Sequence, residues 1–266
     1  GHGLSPRDNR HNIAHGDMIV LAAYLAFVVV SHLDVNPFLA LLAVVPLMAG
    51  WGYLLQRLVL GRSLGGGILT PLMVTYGLSI ITQNVLVGVF SADSRSIRAG
   101  GLETEAVHLA GGITLGLYPL IVMATAVAVI AGLQLLLGRT ELGRAFRATS
   151  DDQATAQLMG IDDKVLYGVA MAIAMAVVGL AGLYLGIRTN FDPAAGPSRL
   201  LYAFEAVVIG GLGSLWGTLA GGMLLGVSQA VGFRLDPGWG LLSSHLTFLA
   251  VLVFKPNGLF PRTRDR

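Results

Sequence analysis

Apolar runs of roughly twenty residues recur along this chain, and they restrict the possible folds more than any other feature. They cover residues 17–33, 37–57, 69–90, 116–138, 165–187, 217–233 and 239–254, with a shorter run at 201–213. A helix of about 20 apolar residues matches the ~30 Å hydrocarbon core of a bilayer. Inside that core a backbone must satisfy its own hydrogen bonds, which leaves helices or closed barrels. The expected fold is all-α: a polytopic transmembrane helix bundle of about seven full spans plus one short or discontinuous crossing, broken at Gly210-Gly211-Leu212-Gly213. Composition agrees, since 54% apolar and 12% charged residues do not make an ordinary soluble domain. Residues 1–261 read as one transmembrane domain, and 262–266 as a basic tail.

The basic residues set an orientation. Arg57, Arg62, Arg139, Arg144, Arg147, Lys164, Lys255, Arg262, Arg264 and Arg266 fall on one side, and Arg95, Arg98, Arg188, Arg199 and Arg234 on the other. The richer side is expected to be cytoplasmic, which places the loop 139–164 and the C-terminus there. Between the third and fourth runs, Glu105–Leu109, Gly111-Gly112 and Ile113–Leu117 have the alternation and two-glycine turn of a small hairpin outside the membrane. The absence of cysteine removes disulfides and thiol chemistry. A net charge of +2, carried mostly by arginines that obey the positive-inside pattern, gives no reason to expect nucleic-acid binding.

The polar segment 139–164 is the longest between two apolar runs. Ser150-Asp151-Asp152-Gln153 has the pattern of a capping box, with two carboxylates suited to the first turn, and Gly160 suits the left-handed position that ends a helix. The expected element is a helix over about 151–159. Ala154 and Leu158 share a face, flanked by Gln157 and Met159, with Arg144 and Arg147 nearby. A helix this short is not stable alone. It either merely joins two spans or docks on a partner, and capping at both ends favours docking.

Polar groups at membrane depth are few: His15 and Asp17 at the edge of the first run, Gln83 and Asn84 in the third, Glu205, and Gln229. Gln and Asn often serve only to bond helices together, whereas a buried Glu is costlier and lines a path or sits at the interface. There is no ladder of acids and bases for a proton relay. Gly179, Gly182 and Gly186, and the pairs Gly217/Gly221 and Gly222/Gly226, read as helix-packing residues. No Gly-x-x-x-x-Gly-Lys-Ser/Thr occurs, so the chain has no nucleotide-binding loop of its own; no enzymatic activity, cofactor or metal site is expected.

Four stretches carry a likeness to a known family. They are Asn12-Ile13-Ala14-His15-Gly16-Asp17 leading into Ala22-Ala23-Tyr24-Leu25; Gly143-Arg144-Ala145-Phe146-Arg147-Ala148 with Asp152-Gln153-Ala154 and Leu158-Met159-Gly160-Ile161; Val208–Ser214; and Phe254-Lys255-Pro256-Asn257-Gly258-Leu259-Phe260. Over roughly residues 12–261 the sequence resembles the smaller permease subunit of branched-chain amino acid ABC importers. The resemblance implies two separate ATP-binding subunits, a second and larger permease, an external substrate-binding protein and a bacterial-type plasma membrane. It implies that ATP is bound by the partners. It also implies that Arg144, Arg147, Asp151, Asp152, Ala154, Gln157, Leu158 and Gly160 form the element coupling the permease to its ATPase, and that His15, Asp17, Gln83, Asn84 and Glu205 are candidates for the translocation path. Permeases for urea and short amides share the architecture, and a self-contained secondary transporter is the reading from another class. Family members begin with a further apolar helix, where Gly1–His11 here is polar, so a truncated or frame-shifted start is expected.

Overall fold

The computed structural model describes residues 15–61, 69–102, 105–108 and 114–260. The basic Arg62 and the Gly65–Gly67 cluster, the Gly111-Gly112 turn, Asn12–Ala14 and the tail 262–266 lie outside them. In chain order the elements are α1 (His15–Leu33), α2 (Pro37–Leu55, continued by a π-type turn at Gln56–Leu60), α3 (Leu69–Phe90), β1 (Ala106–His108), β2 (Thr114–Gly116), α4 (Leu117–Arg139), α5 (Glu141–Asp151), α6 (Gln153–Leu158), α7 (Asp163–Arg188), α8 (Gly196–Gly210), α9 (Leu215–Leu235) and α10 (Trp239–Phe254). The protein is an all-α membrane bundle, with one small antiparallel strand pair among the described residues. Among the described residues five helices, α1 to α4 and α7, are long and apolar enough to cross a bilayer. The remaining apolar sequence forms α8 and α9, bent by 118° at their junction, and the 16-residue α10. The chain turns at the expected break, where Gly211 and Gly213 adopt positive φ, and the run at 217–233 is the second arm of this bent pair.

The chain forms two compact units. The first comprises Gly1–Glu103 and Ala145–Pro197, the second Thr104–Arg144 and Ser198–Arg266.

In the first unit α1 is the buried helix. Met18, Val20, Ala22, Ala23, Tyr24 and Ala26 are all fully buried. Helices that are apolar on every side have no stripe to select an inward face; here small residues select it. A Cβ on Gly182 of α7 would lie 2.5 Å from Ala22 Cβ and 2.7 Å from the Ile19 carbonyl. Gly52 of α2 meets Met175 and the Met171 carbonyl of α7, and Gly168 of α7 lies against the Tyr53 ring. Gly179 touches Met48 at ordinary contact distance, and Gly186 receives Ile97. Beyond α3 the chain is pinned by paired backbone bonds of 2.8 Å between Arg95 and Phe191. Tyr24 stacks on Phe90 at 4.6 Å and meets Phe191 edge-on at 4.9 Å.

In the second unit β1 and β2 pair antiparallel, Ala106 opposite Gly116 and His108 opposite Thr114, in the segment expected to be a hairpin. The α8–α9 corner is held by backbone contact. Gly210 and Gly217 face each other so closely that neither accepts a Cβ, and Gly221 lies against the Ala206 carbonyl. Ser214 caps α9 by accepting from the Gly217 amide at 3.0 Å. Past α10 the chain returns to the same corner, where Leu259 and Phe260 donate their amides to the Ile209 and Gly210 carbonyls at 2.8 and 3.1 Å. The expected packing role stops short of Gly226, which has open space around it, and Gly222 makes only a 4.0 Å contact with Ala206. Both fall on the outer side of α9, because four-residue spacing puts each pair on one face without saying which face is covered.

One expected boundary is corrected. Ser150 does not begin a helix: it is exposed in the last turn of α5, which runs through Asp151. Asp152 is the residue with extended backbone, and it caps α6 instead. Adjacent Ser, Asp and Asp are all competent caps, so the pattern fixed the cap only to within two residues.

Candidate functional site

Three arrangements bring the candidate residues together. The first is the polar segment between α4 and α7. Asp152 Oδ1 accepts from the Ala154 and Thr155 amides at 3.0 and 3.2 Å, and its Oδ2 accepts from the Thr155 hydroxyl at 2.6 Å. These donors, the Thr155 hydroxyl foremost, hold the Asp152 carboxyl below its ordinary value. At the other end Gly160, at φ +85°, donates to the Gln157 carbonyl at 3.0 Å and Ile161 donates to Ala156 at 3.1 Å. This is a Schellman closure. The next residue but one, Asp162, caps α7 through the Lys164 and Val165 amides.

The short helix has a footing that the sequence pattern did not reveal. Gln153 and Gln157, one turn apart, both donate to Asp163 Oδ2, at 2.6 and 2.5 Å. Gln153 therefore does not complete a capping box. Ala156 turns inward at 3% exposure, whereas Leu158 and Met159 stand out at 88% and 81%. Ala154 and Asp151 are exposed too, Arg147 is exposed, and Arg144 pairs with Glu141 at 3.3 Å in a solvated contact that contributes little. The segment presents an apolar knob on a rigid base.

The second arrangement surrounds Asp17 in the first turn of α1, which is 2% exposed. The Ser79 hydroxyl donates to Oδ2 and the Gln83 amide donates to Oδ1 at 2.8 Å. Gly196, the first residue of α8, is pressed against the same carboxylate with no space for a Cβ. Ser79 was not anticipated, though its place one turn before Gln83 was a usable signal. Asn84 is exposed and bonds back to the Ile80 carbonyl at 2.8 Å, so it does not join Gln83. His15 begins α1, and Gln229 is half-buried on α9.

The third arrangement lies in the second unit. Glu205 of α8 is 2% exposed, and its Oε1 is 2.6 Å from His245 Nδ1 of α10. The Tyr202 ring, one turn earlier on α8, stacks on the His245 ring at 5.5 Å. An ionisable residue in the apolar run 239–254 was the overlooked sign of His245. Among the described residues no cluster of three or more His, Asp or Glu is arranged to hold a metal ion.

Residues 8–252 match the family model described as the branched-chain amino acid transport system / permease component. The chain belongs to this family. Among curated relatives, the high-affinity branched-chain amino acid transport system permease protein BraD of Pseudomonas aeruginosa is 29% identical, the alignment covering 94% of this chain and 86% of that protein. LivH of Escherichia coli K12, of the same description, is 25% identical over 94% of this chain and 85% of its own length. LivM of that organism matches over 48% of this chain and 30% of its own length, at 28% identity. No solved structure matches. Family membership makes the chain a multi-pass membrane permease component and accounts for its apolar helices.

Proposed function

We propose that this chain is the smaller permease subunit of an ATP-driven importer of branched-chain amino acids, paired with a larger permease, energised by two separate ATP-binding subunits and fed by an external binding protein. The single observation that carries the coupling mechanism is the geometry of α6. A six-residue helix is not stable on its own, yet this one is capped at both ends and tied by two glutamines to the first residue of α7. Force applied to Leu158 and Met159 passes through Asp163 into a 26-residue span. In the ridge-and-groove logic of helix-in-groove contacts, two exposed apolar side chains at a helix end are anchors for a partner surface. That partner is the ATPase, and the loop carrying α6 is cytoplasmic, a reading the arginine distribution supports.

Co-expression with a larger LivM-like permease and two ATP-binding subunits tests the reading. The four are expected to co-purify in detergent and, with the binding protein, to take up leucine in proteoliposomes at the expense of ATP. Gly160→Val places a β-branched residue at φ +85°, which costs roughly 1–2 kcal/mol; it is expected to leave insertion intact and reduce uptake per ATP hydrolysed. Uptake without an ATPase would replace this reading with a self-contained transporter. Uptake of urea or short amides in preference to leucine would retain the mechanism and change the substrate.

A further inference from the structure

Three carboxylates are buried in the helices of this protein among the described residues, Asp17, Asp163 and Glu205, and their surroundings differ. Asp163 accepts from Gln153 and Gln157 on Oδ2 alone. Asp17 is used on both oxygens. Glu205 is used on one: Oε1 meets His245, while Oε2 is buried and has no hydrogen-bond partner among the described residues. The Tyr202 hydroxyl is also buried and without a partner. Tyr202 and Glu205 are three residues apart on α8 and so share a face, and both touch the His245 ring, Tyr202 by stacking and Glu205 by its hydrogen bond. Two unused oxygen acceptors are therefore supplied by side chains that share one imidazole.

Buried polar atoms without partners are few in native proteins, and each calls for a reason. Asp163 also leaves one oxygen without a partner; at Glu205 a second unpartnered oxygen, the Tyr202 hydroxyl, comes from the same helix face. The chemistry of this pair is that of an ammonium receptor: one acceptor on an acid group and a second on a phenol. We infer that Tyr202, Glu205 and His245 form a binding site for the primary ammonium group of the transported amino acid, with Glu205 Oε2 and the Tyr202 hydroxyl as acceptors and His245 as the residue that positions the Glu205 carboxyl. The inference rests on the amino acid importer reading above and adds the chemical group recognised within the membrane helices. In this conformation the two oxygens have almost no solvent-accessible surface. The site is closed here, and it opens when α8 and α10 separate during the transport cycle.

The test uses the assembled transporter in proteoliposomes, with leucine as substrate, and isopentylammonium and 4-methylpentanoate as competitors that retain only the ammonium or only the carboxylate. Glu205→Gln keeps an acceptor for His245 and nearly the same shape. Removing one charge-assisted bond predicts a fall of about tenfold to a hundredfold in leucine uptake per ATP hydrolysed. Tyr202→Phe leaves the Glu205–His245 pair intact, and losing a neutral acceptor predicts a fall of about threefold to tenfold. Isopentylammonium is expected to inhibit the wild-type transporter more than 4-methylpentanoate, and this preference is expected to vanish in Glu205→Gln. A merely structural role for Glu205 would leave the preference between competitors unchanged. Wild-type uptake with full uptake in both variants would overturn the ammonium site and leave the importer reading standing; no leucine uptake by the wild-type assembly would overturn both.

Discussion

Asp163 is the point at which the α6 footing can be cut without touching the exposed knob or either cap. Its Oδ2 accepts from Gln153 and Gln157 at 2.6 and 2.5 Å, and the residue is largely buried. A hydrogen bond to a charged group contributes about 1.5–3 kcal/mol when well buried. Both glutamines are themselves exposed, so solvent competes, and a net loss of about 1–3 kcal/mol for the pair is reasonable. Asp163→Ala should therefore raise the open population of α6 by about fivefold to 150-fold. Hydrogen exchange reads this directly: the Gly160 and Ile161 amides, which close the helix onto Gln157 and Ala156, should lose protection while amides in the centre of α7 keep theirs. Asp163→Asn, which retains an acceptor oxygen, should lose less. Unchanged protection at residues 160 and 161 in Asp163→Ala would refute the claim that the two glutamines hold this helix in place.

Titration of Asp152 gives a second handle. Its carboxyl is held below the ordinary value by the Thr155 hydroxyl and the Thr155 and Ala154 amides, so its contribution to α6 is fully present above the unfolded-state pKa and is lost as pH falls through the lower, folded-state one. Exchange protection of α6 should decline across that acidic window in the wild type, and Asp152→Asn, which still caps but does not titrate, should lack the decline. The glycines of α9 give a paired test in the second unit. Gly221→Ala, pressed on the Ala206 carbonyl, should lower thermal stability by about 1–3 kcal/mol, whereas Gly226→Ala, with open space, should stay within about 0.5 kcal/mol of wild type; detergent melting curves separate the two.

The membrane-spanning helices were legible in the sequence because spans are written in a code of length and apolarity that needs no tertiary information, whereas the polar helix Glu141–Asp151 was not anticipated. The left-handed position of Gly160, at φ +85°, was legible for a similar local reason. What stayed hidden depends on which faces meet. Gly221 and Gly226 belong to adjoining four-residue patterns, yet one lies on the α8 backbone and the other faces open space. Likewise the Ser150-Asp151-Asp152 run offers successive competent caps, and only the end of α5 decides that Asp152 serves. Gln153 illustrates the same limit: its sequence position suits a capping box, while the nearby Asp163 carboxylate offers a charged acceptor and takes it. His245 was overlooked because its partner is 40 residues away on another helix.

Asp17 and Glu205 make opposite predictions, although both were grouped at first as candidates for one path. Asp17 is a hub. It takes a hydroxyl and an amide from α3, and it sits against the backbone of Gly196 at the start of α8, where the positive end of a helix dipole favours a carboxylate. A group saturated in this way has nothing left for a passing solute, and exchanging its charge weakens the contacts that hold α1 to α3. Asp17→Asn should therefore lower the melting temperature of the detergent-solubilised protein, by an amount corresponding to about 1–3 kcal/mol. Gly196→Ala, which drives a methyl group into the same carboxylate, should do likewise. Material that still folds should retain the wild-type preference between ammonium and carboxylate competitors. Glu205→Gln should show the reverse, a lost preference with little change in melting, because glutamine still accepts from His245 and the oxygen it replaces contributes no bond. If Asp17→Asn abolished the preference and left the melting curve alone, the solute-facing group would be Asp17, and the division of labour inferred from their hydrogen bonds would be wrong.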